Sequence, residues 1–106
     1  MAINFILDHL EEDLTVKSVA EHCCFSKYYF NRLFKAVTGE SVYSFIKRLR
    51  IERSAFYLKV NPGMSITDVA VRYNLSSSNY STAFKEYIGI SPSKYRKIIE
   101  KGISEL

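Results

Sequence analysis

The stretch TVKSVAEHCCFSKYYFNRLFKAVTGES at 15–41 lies over SITDVAVRYNLSSSNYSTAFKEYIGIS at 65–91 without a gap when the chain is shifted by fifty positions. Thr15, Val16, Val19, Ala20, Phe25, Ser26, Phe30, Phe34, Lys35, Gly39 and Ser41 fall on Ser65, Ile66, Val69, Ala70, Leu75, Ser76, Tyr80, Phe84, Lys85, Gly89 and Ser91. Hydroxyl residues that cap helices, apolar residues at helical spacing and glycines that stop helices are all kept. A register of this kind marks a duplicated structural unit.

Each copy reads as two short helices and a turn. Thr15 caps a helix whose inward face is Val16, Val19, Ala20 and Cys23, and Ser26 caps another with Tyr29, Phe30, Leu33, Phe34 and Val37 inward. Gly39 is the left-handed stop. In the second copy Ser65 caps a helix through Tyr73, and a serine near Ser77 caps one ending at Gly89. Working outward, Ile3, Ile6, Leu7 and Leu10 form the stripe of a first helix ending near Asp13. Ser41 opens a long helix to about Lys59, with Val42, Phe45, Ile46, Leu49 and Phe56 inward, broken by Asn61-Pro62-Gly63. Ser91-Pro92 starts a last helix through about Lys101. The expected fold is all-α, about seven helices: a helix-turn-helix subdomain at 1–40, a connecting helix at 41–60 and a second subdomain at 61–106.

In a helix-turn-helix the second helix enters a major groove of duplex DNA. Its outward positions in copy one are Lys27, Tyr28, Asn31, Arg32 and Lys35. Arg pairs bidentately with guanine and Asn with adenine, Tyr touches thymine methyls or stacks, and Lys meets phosphate. Copy two offers Ser77, Ser78, Asn79, Ser81, Thr82 and Lys85. Apart from Lys85 these are short side chains that reach phosphate or at most one base edge, so copy two is expected to position the protein while copy one reads most of the sequence.

Charge supports a polyanionic partner. The chain carries a formal +4, unevenly spread. Residues 1–24 hold Asp8, Glu11, Glu12, Asp13 and Glu21 against Lys17, whereas 25–59 hold Lys27, Arg32, Lys35, Lys47, Arg48, Arg50, Arg53 and Lys59 against Glu40 and Glu52. Such a basic stretch suits phosphate neutralisation with counterion release. No apolar run is long enough to span a bilayer, and the first twenty residues lack the pattern of a signal peptide, so a cytoplasmic protein is expected.

Other chemistries find no support. Cys23 and Cys24 are adjacent, with no third cysteine for a zinc pattern, and His22 beside them lacks the geometry for a metal site. Cys24 reads as a small turn residue in preference to a redox thiol. No Ser/His/Asp set, phosphate-binding glycine loop or His-Glu-x-x-His occurs. Neither an enzyme activity nor a cofactor is expected.

Leu14-Thr15-Val16, Val19-Ala20, Phe25-Ser26, Phe30-Asn31-Arg32-Leu33-Phe34-Lys35, Gly39 and Arg48-Leu49-Arg50 are followed by Ser65-Ile66-Thr67-Asp68-Val69-Ala70 and the closing run from Phe84 to Arg96. In carrying these motifs, the chain from Ile6 to Arg96 resembles the DNA-binding domain of the AraC/XylS family of bacterial transcription regulators. The resemblance implies two recognition helices in successive major-groove segments of a promoter, and RNA polymerase as the partner of activating members. Copy two departs from the family pattern: Asn74-Leu75 stands where Gly-Phe is usual, the serine run is one residue short, and Thr82 replaces a common arginine. Asn tolerates the left-handed backbone that such a glycine supplies. The Asn61-Pro62-Gly63 link and the serine run look like the subgroup in which a GyrI-like effector domain follows. No small-molecule site is read in this chain, and an excised domain is expected in preference to a stand-alone regulator.

A connecting helix from Ser41 to Lys59 is about 28 Å long at about 1.5 Å per residue, near the roughly 34 Å between major-groove visits on one face. The alternative reading is a helical protein-interaction module whose basic face binds an acidic partner, with Tyr43 and Tyr57 at the contact.

Overall fold

Helix-capping chemistry sets several of the boundaries. The computed structural model describes Ala2 to Glu105, so the expected outer bounds Met1 and Leu106 lie outside the described residues. Among those residues it is all-helical: α1 (Ala2–Asp8), α2 (Val16–His22), α3 (Lys27–Thr38), α4 (Val42–Val60), α5 (Ile66–Arg72), α6 (Ser77–Ile88) and α7 (Pro92–Glu105). The chain forms two compact units, divided between Leu49 and Arg50 within α4.

In the first unit Thr15 and Ser18 make a reciprocal capping box, each side chain accepting from the other's backbone N–H at 3.0 Å. The core gathers Ile6, Leu10, Val19, Ala20, Cys23, Phe30, Phe34, Val42, Phe45 and Ile46. Phe34 meets the ring of Phe45 edge-on at 5.1 Å, an arrangement aromatic quadrupoles favour. Two expectations are corrected. α1 ends at Asp8, because the chain turns with His9 N–H on Ile6 O and buries Leu10 from outside the helix. α3 buries only Phe30 and Phe34, leaving Tyr29, Leu33 and Val37 exposed at 55%, 40% and 77%.

The second unit repeats the scheme with Ser65 capping α5 through Asp68 N–H. Its core is Ile51, Ala55, Leu58, Val69, Ala70, Tyr80, Ala83 and Phe84. Ser54 is its buried polar side chain: Oγ donates to Ile51 O at 2.6 Å and accepts from the Tyr80 hydroxyl at 2.8 Å. Arg96 from α7 donates to the carbonyls of Leu58 and Asn61, satisfying acceptors that the end of α4 leaves open.

No single apolar stripe runs the length of α4. The first unit buries Val42, Phe45 and Ile46, while the second buries Ile51, Ser54, Ala55 and Leu58. Phe56, expected inward by continuing the first stripe, is therefore 61% exposed.

Candidate nucleic-acid interface

The turn between α2 and α3 is fixed by backbone. Phe25 N–H reaches Ala20 O at 2.9 Å, and fifty residues on Leu75 N–H reaches Ala70 O at 2.9 Å. Closing these turns needs one left-handed residue each, Cys24 at φ 62° and Asn74 at φ 56°. Asn74 fills the role expected of it, and Cys24 does the same despite belonging to a residue type that visits this region less readily. After each turn comes a twelve-residue helix stopped by a left-handed glycine, Gly39 or Gly89, whose N–H bonds Lys35 O or Lys85 O at 2.8 Å. A side chain at either glycine would be strained by the positive φ alone.

On α3, Lys27, Tyr28, Arg32 and Lys35 are exposed. Tyr28, Arg32 and Lys35 follow i, i+4, i+7 spacing and share one face, with the Arg32 guanidinium 5.7 Å from the centroid of the 74% exposed Tyr28 ring. Asn31, expected to face outward with them, is less exposed than they are. It is half-buried, and its Oδ1 accepts from Val42 N–H at 3.3 Å, giving the first turn of α4 a partner. Ser41 Oγ accepts from Ser44 N–H in the same turn.

The basic stretch is also partly spent within the fold. Arg48 places Nε and Nη2 on Glu40 Oε1 at 3.2 and 2.7 Å, and its guanidinium lies 5.3 Å from the Phe45 ring centroid. Lys27, Arg32 and Lys35 are the exposed cations of α3.

On α6, Ser77, Ser78, Asn79, Ser81, Thr82 and Lys85 are all exposed, and Ser78, Thr82 and Lys85 repeat the spacing of Tyr28, Arg32 and Lys35. The N-terminus differs from that of α3. Ser26 Oγ accepts from Tyr29 N–H at 3.2 Å, but Ser76 Oγ pairs with Ser78 Oγ at 2.9 Å and makes no side-chain cap. Sequence reasoning missed the exposed apolar flank of α3. It had a signal, since Tyr29, Leu33 and Val37 are more apolar positions than a twelve-residue helix with one buried edge can cover.

Residues 8–98 match the family described as a helix-turn-helix domain. Over 103 residues the chain is 33% identical to the multiple antibiotic resistance protein MarA of Escherichia coli K12, covering 96% of this chain and 80% of MarA. The chain belongs to the AraC-type helix-turn-helix family. Another relative in this family, the transcriptional regulator Rob of Salmonella typhimurium, is 32% identical over 93 residues, covering 87% of this chain and 32% of Rob. The chain thus spans about a third of Rob's length. The DNA-binding domain of AdpA, described as a global transcriptional factor and solved with a target DNA, superposes with a TM-score of 0.81 at 26% identity, covering 92% of this chain and 87% of that one. Among the described residues, no helix of this AraC-type chain is long and apolar enough to cross a membrane.

Proposed function

We propose that this chain is the sequence-specific, duplex-DNA-binding part of a transcription regulator, in which α3 reads bases from a major groove and α6 mainly grips phosphate. The observation that carries this is the exposed row of Tyr28, Arg32 and Lys35 on α3, held on a helix whose other edge is buried in a helix-turn-helix core. Arg32 supplies the two parallel donors that guanine O6 and N7 accept, Tyr28 holds the guanidinium beneath its ring, and Lys27 and Lys35 neutralise phosphate. Ser77, Ser78, Asn79, Ser81, Thr82 and Lys85 contact the backbone of a second segment. Membership of the AraC-type family and the AdpA domain's complex with DNA support the reading. It needs neither a cofactor nor a catalytic step, places the protein in the cytoplasm, and makes RNA polymerase the protein partner if the full regulator activates.

Selection from a random duplex pool, followed by gel-shift titration across salt concentrations, tests it. We expect an enriched motif and a log–log salt slope that falls by about 1 for each of Lys35→Ala and Lys85→Ala. A protein that retains no duplex above background overturns the proposal.

A further inference from the structure

The face of α3 that presents Arg32 has two unlike flanks. On one side stand Lys27 and Lys35; on the other Tyr29, Leu33, Ala36 and Val37 are exposed although apolar or aromatic. Tyr29, Arg32, Leu33 and Ala36 together line an open depression of about 250 Å³. In copy two the equivalent positions carry Asn79, Thr82, Ala83 and Glu86, and Ala83 is buried. A contiguous apolar flank beside a cationic reading residue marks a contact surface.

Resting on the proposed reading of α3 as a groove-reading helix, we infer that this depression receives the C5-methyl group of a thymine adjoining the guanine that Arg32 selects, making Tyr29, Leu33 and Ala36 specificity-determining residues. Continuity carries the assignment. The Arg32 side chain forms part of the lining, so whatever base pair occupies the depression is a neighbour of the one under the guanidinium. Of the groups that the four base pairs show in the major groove, the thymine methyl is the apolar one. A protein partner seated here would cover Arg32 and strip water from its charge, which is costly without a matched anion. Duplex DNA brings that match in guanine and phosphate. Tyr28 holds Arg32 from another side, so the methyl site and the guanine site are separate parts of one surface.

Replacing thymine by deoxyuridine removes the methyl group and leaves the base pairing intact. In the sequence selected from random duplexes, each thymine is changed to deoxyuridine singly and affinity measured with the intact chain. One thymine beside the Arg32-dependent guanine should lose about fourfold in affinity, the transfer value of a single methyl group. Leu33→Ala should bind thymine and deoxyuridine duplexes equally at that position while keeping the guanine preference. The inference is overturned if every substitution is tolerated within twofold, if the selected site has no thymine next to that guanine, or if Leu33→Ala discriminates as the parent does. An apolar flank that serves a protein partner would give the first of these outcomes. Failure of the underlying reading looks different, since no motif would be selected at all.

Discussion

Arg32 and Asn31 are neighbours in sequence with different surroundings in space. Arg32 is exposed under the Tyr28 ring, whereas Asn31 is folded back on Val42 N–H. Replacing Arg32 by Ala should cost about 1–3 kcal/mol on the preferred site and relax the choice at one base position. Competition gel shifts with single-base variants of the site check this, and equal losses on preferred and random duplexes would remove Arg32 from base reading. Asn31→Ala should behave in the contrary way. It leaves the first turn of α4 without its acceptor, so unfolding should become easier by about 1 kcal/mol with no change in preference at any single base. A loss of adenine preference with unchanged denaturant midpoint would restore Asn31 to the reading surface. Its hydrogen bond spans eleven residues, which is why helical periodicity alone placed Asn31 among the outward positions.

At the scale of elements, the second unit contains a polar pair that the first lacks. Tyr80 corresponds to Phe30, and its hydroxyl donates to buried Ser54 Oγ, which donates to Ile51 O. Ser54→Ala strands the Tyr80 hydroxyl and should cost about 1–3 kcal/mol. Tyr80→Phe leaves Ser54 its own acceptor and should cost about 1 kcal/mol or less. Denaturant unfolding of both variants checks the order, which would be reversed if the bond to Ile51 were the weaker one. Burial raises the pKa of Tyr80 above the usual phenol value, a shift that the Ser54 hydrogen bond and the charge of Arg96 only partly offset. The folded state therefore resists ionisation. The stability that neutral Tyr80 confers is complete below about pH 10 and lost as pH rises beyond it, so the parent should fall relative to Tyr80→Phe above that pH.

The caps and stops of these elements were legible because they act over three or four residues. Thr15, Ser26, Ser65, Gly39 and Gly89 all do what their residue types imply. Inward faces were less legible, since a short helix packed along one edge buries fewer positions than its apolar pattern offers, as Tyr29 and Val37 show. α4 misled for a related reason: it serves two cores, and Phe56 continues the stripe of only one. On the proposed interface, Lys27, Tyr28, Arg32 and Lys35 came from residue type and spacing, but the depression beside Arg32 depends on which apolar side chains remain uncovered.

For the whole molecule, the repeat raises the question of whether one chain reads two segments of DNA at once. Copy one offers Arg32 and Tyr28; copy two offers mostly hydroxyls and Lys85, groups that bind the backbone whatever the sequence. If both recognition helices engage one site, binding needs one protein per duplex and a fixed phase between the protected segments, about 10 base pairs for consecutive grooves on one face. Inserting five base pairs between those segments turns the second to the far side of the duplex. Affinity should fall to that of copy one alone, with non-specific binding in the micromolar range or weaker as the floor, while the guanine preference that depends on Arg32 stays intact. Inserting a full turn of about 10 base pairs restores the phase but not the reach of a single chain, so it should not rescue affinity. Titration of the three duplexes by fluorescence anisotropy separates the cases. Equal affinity on all three would mean that α6 contributes nothing in the groove, and that the serine run and Thr82 belong to a repeat kept for its fold.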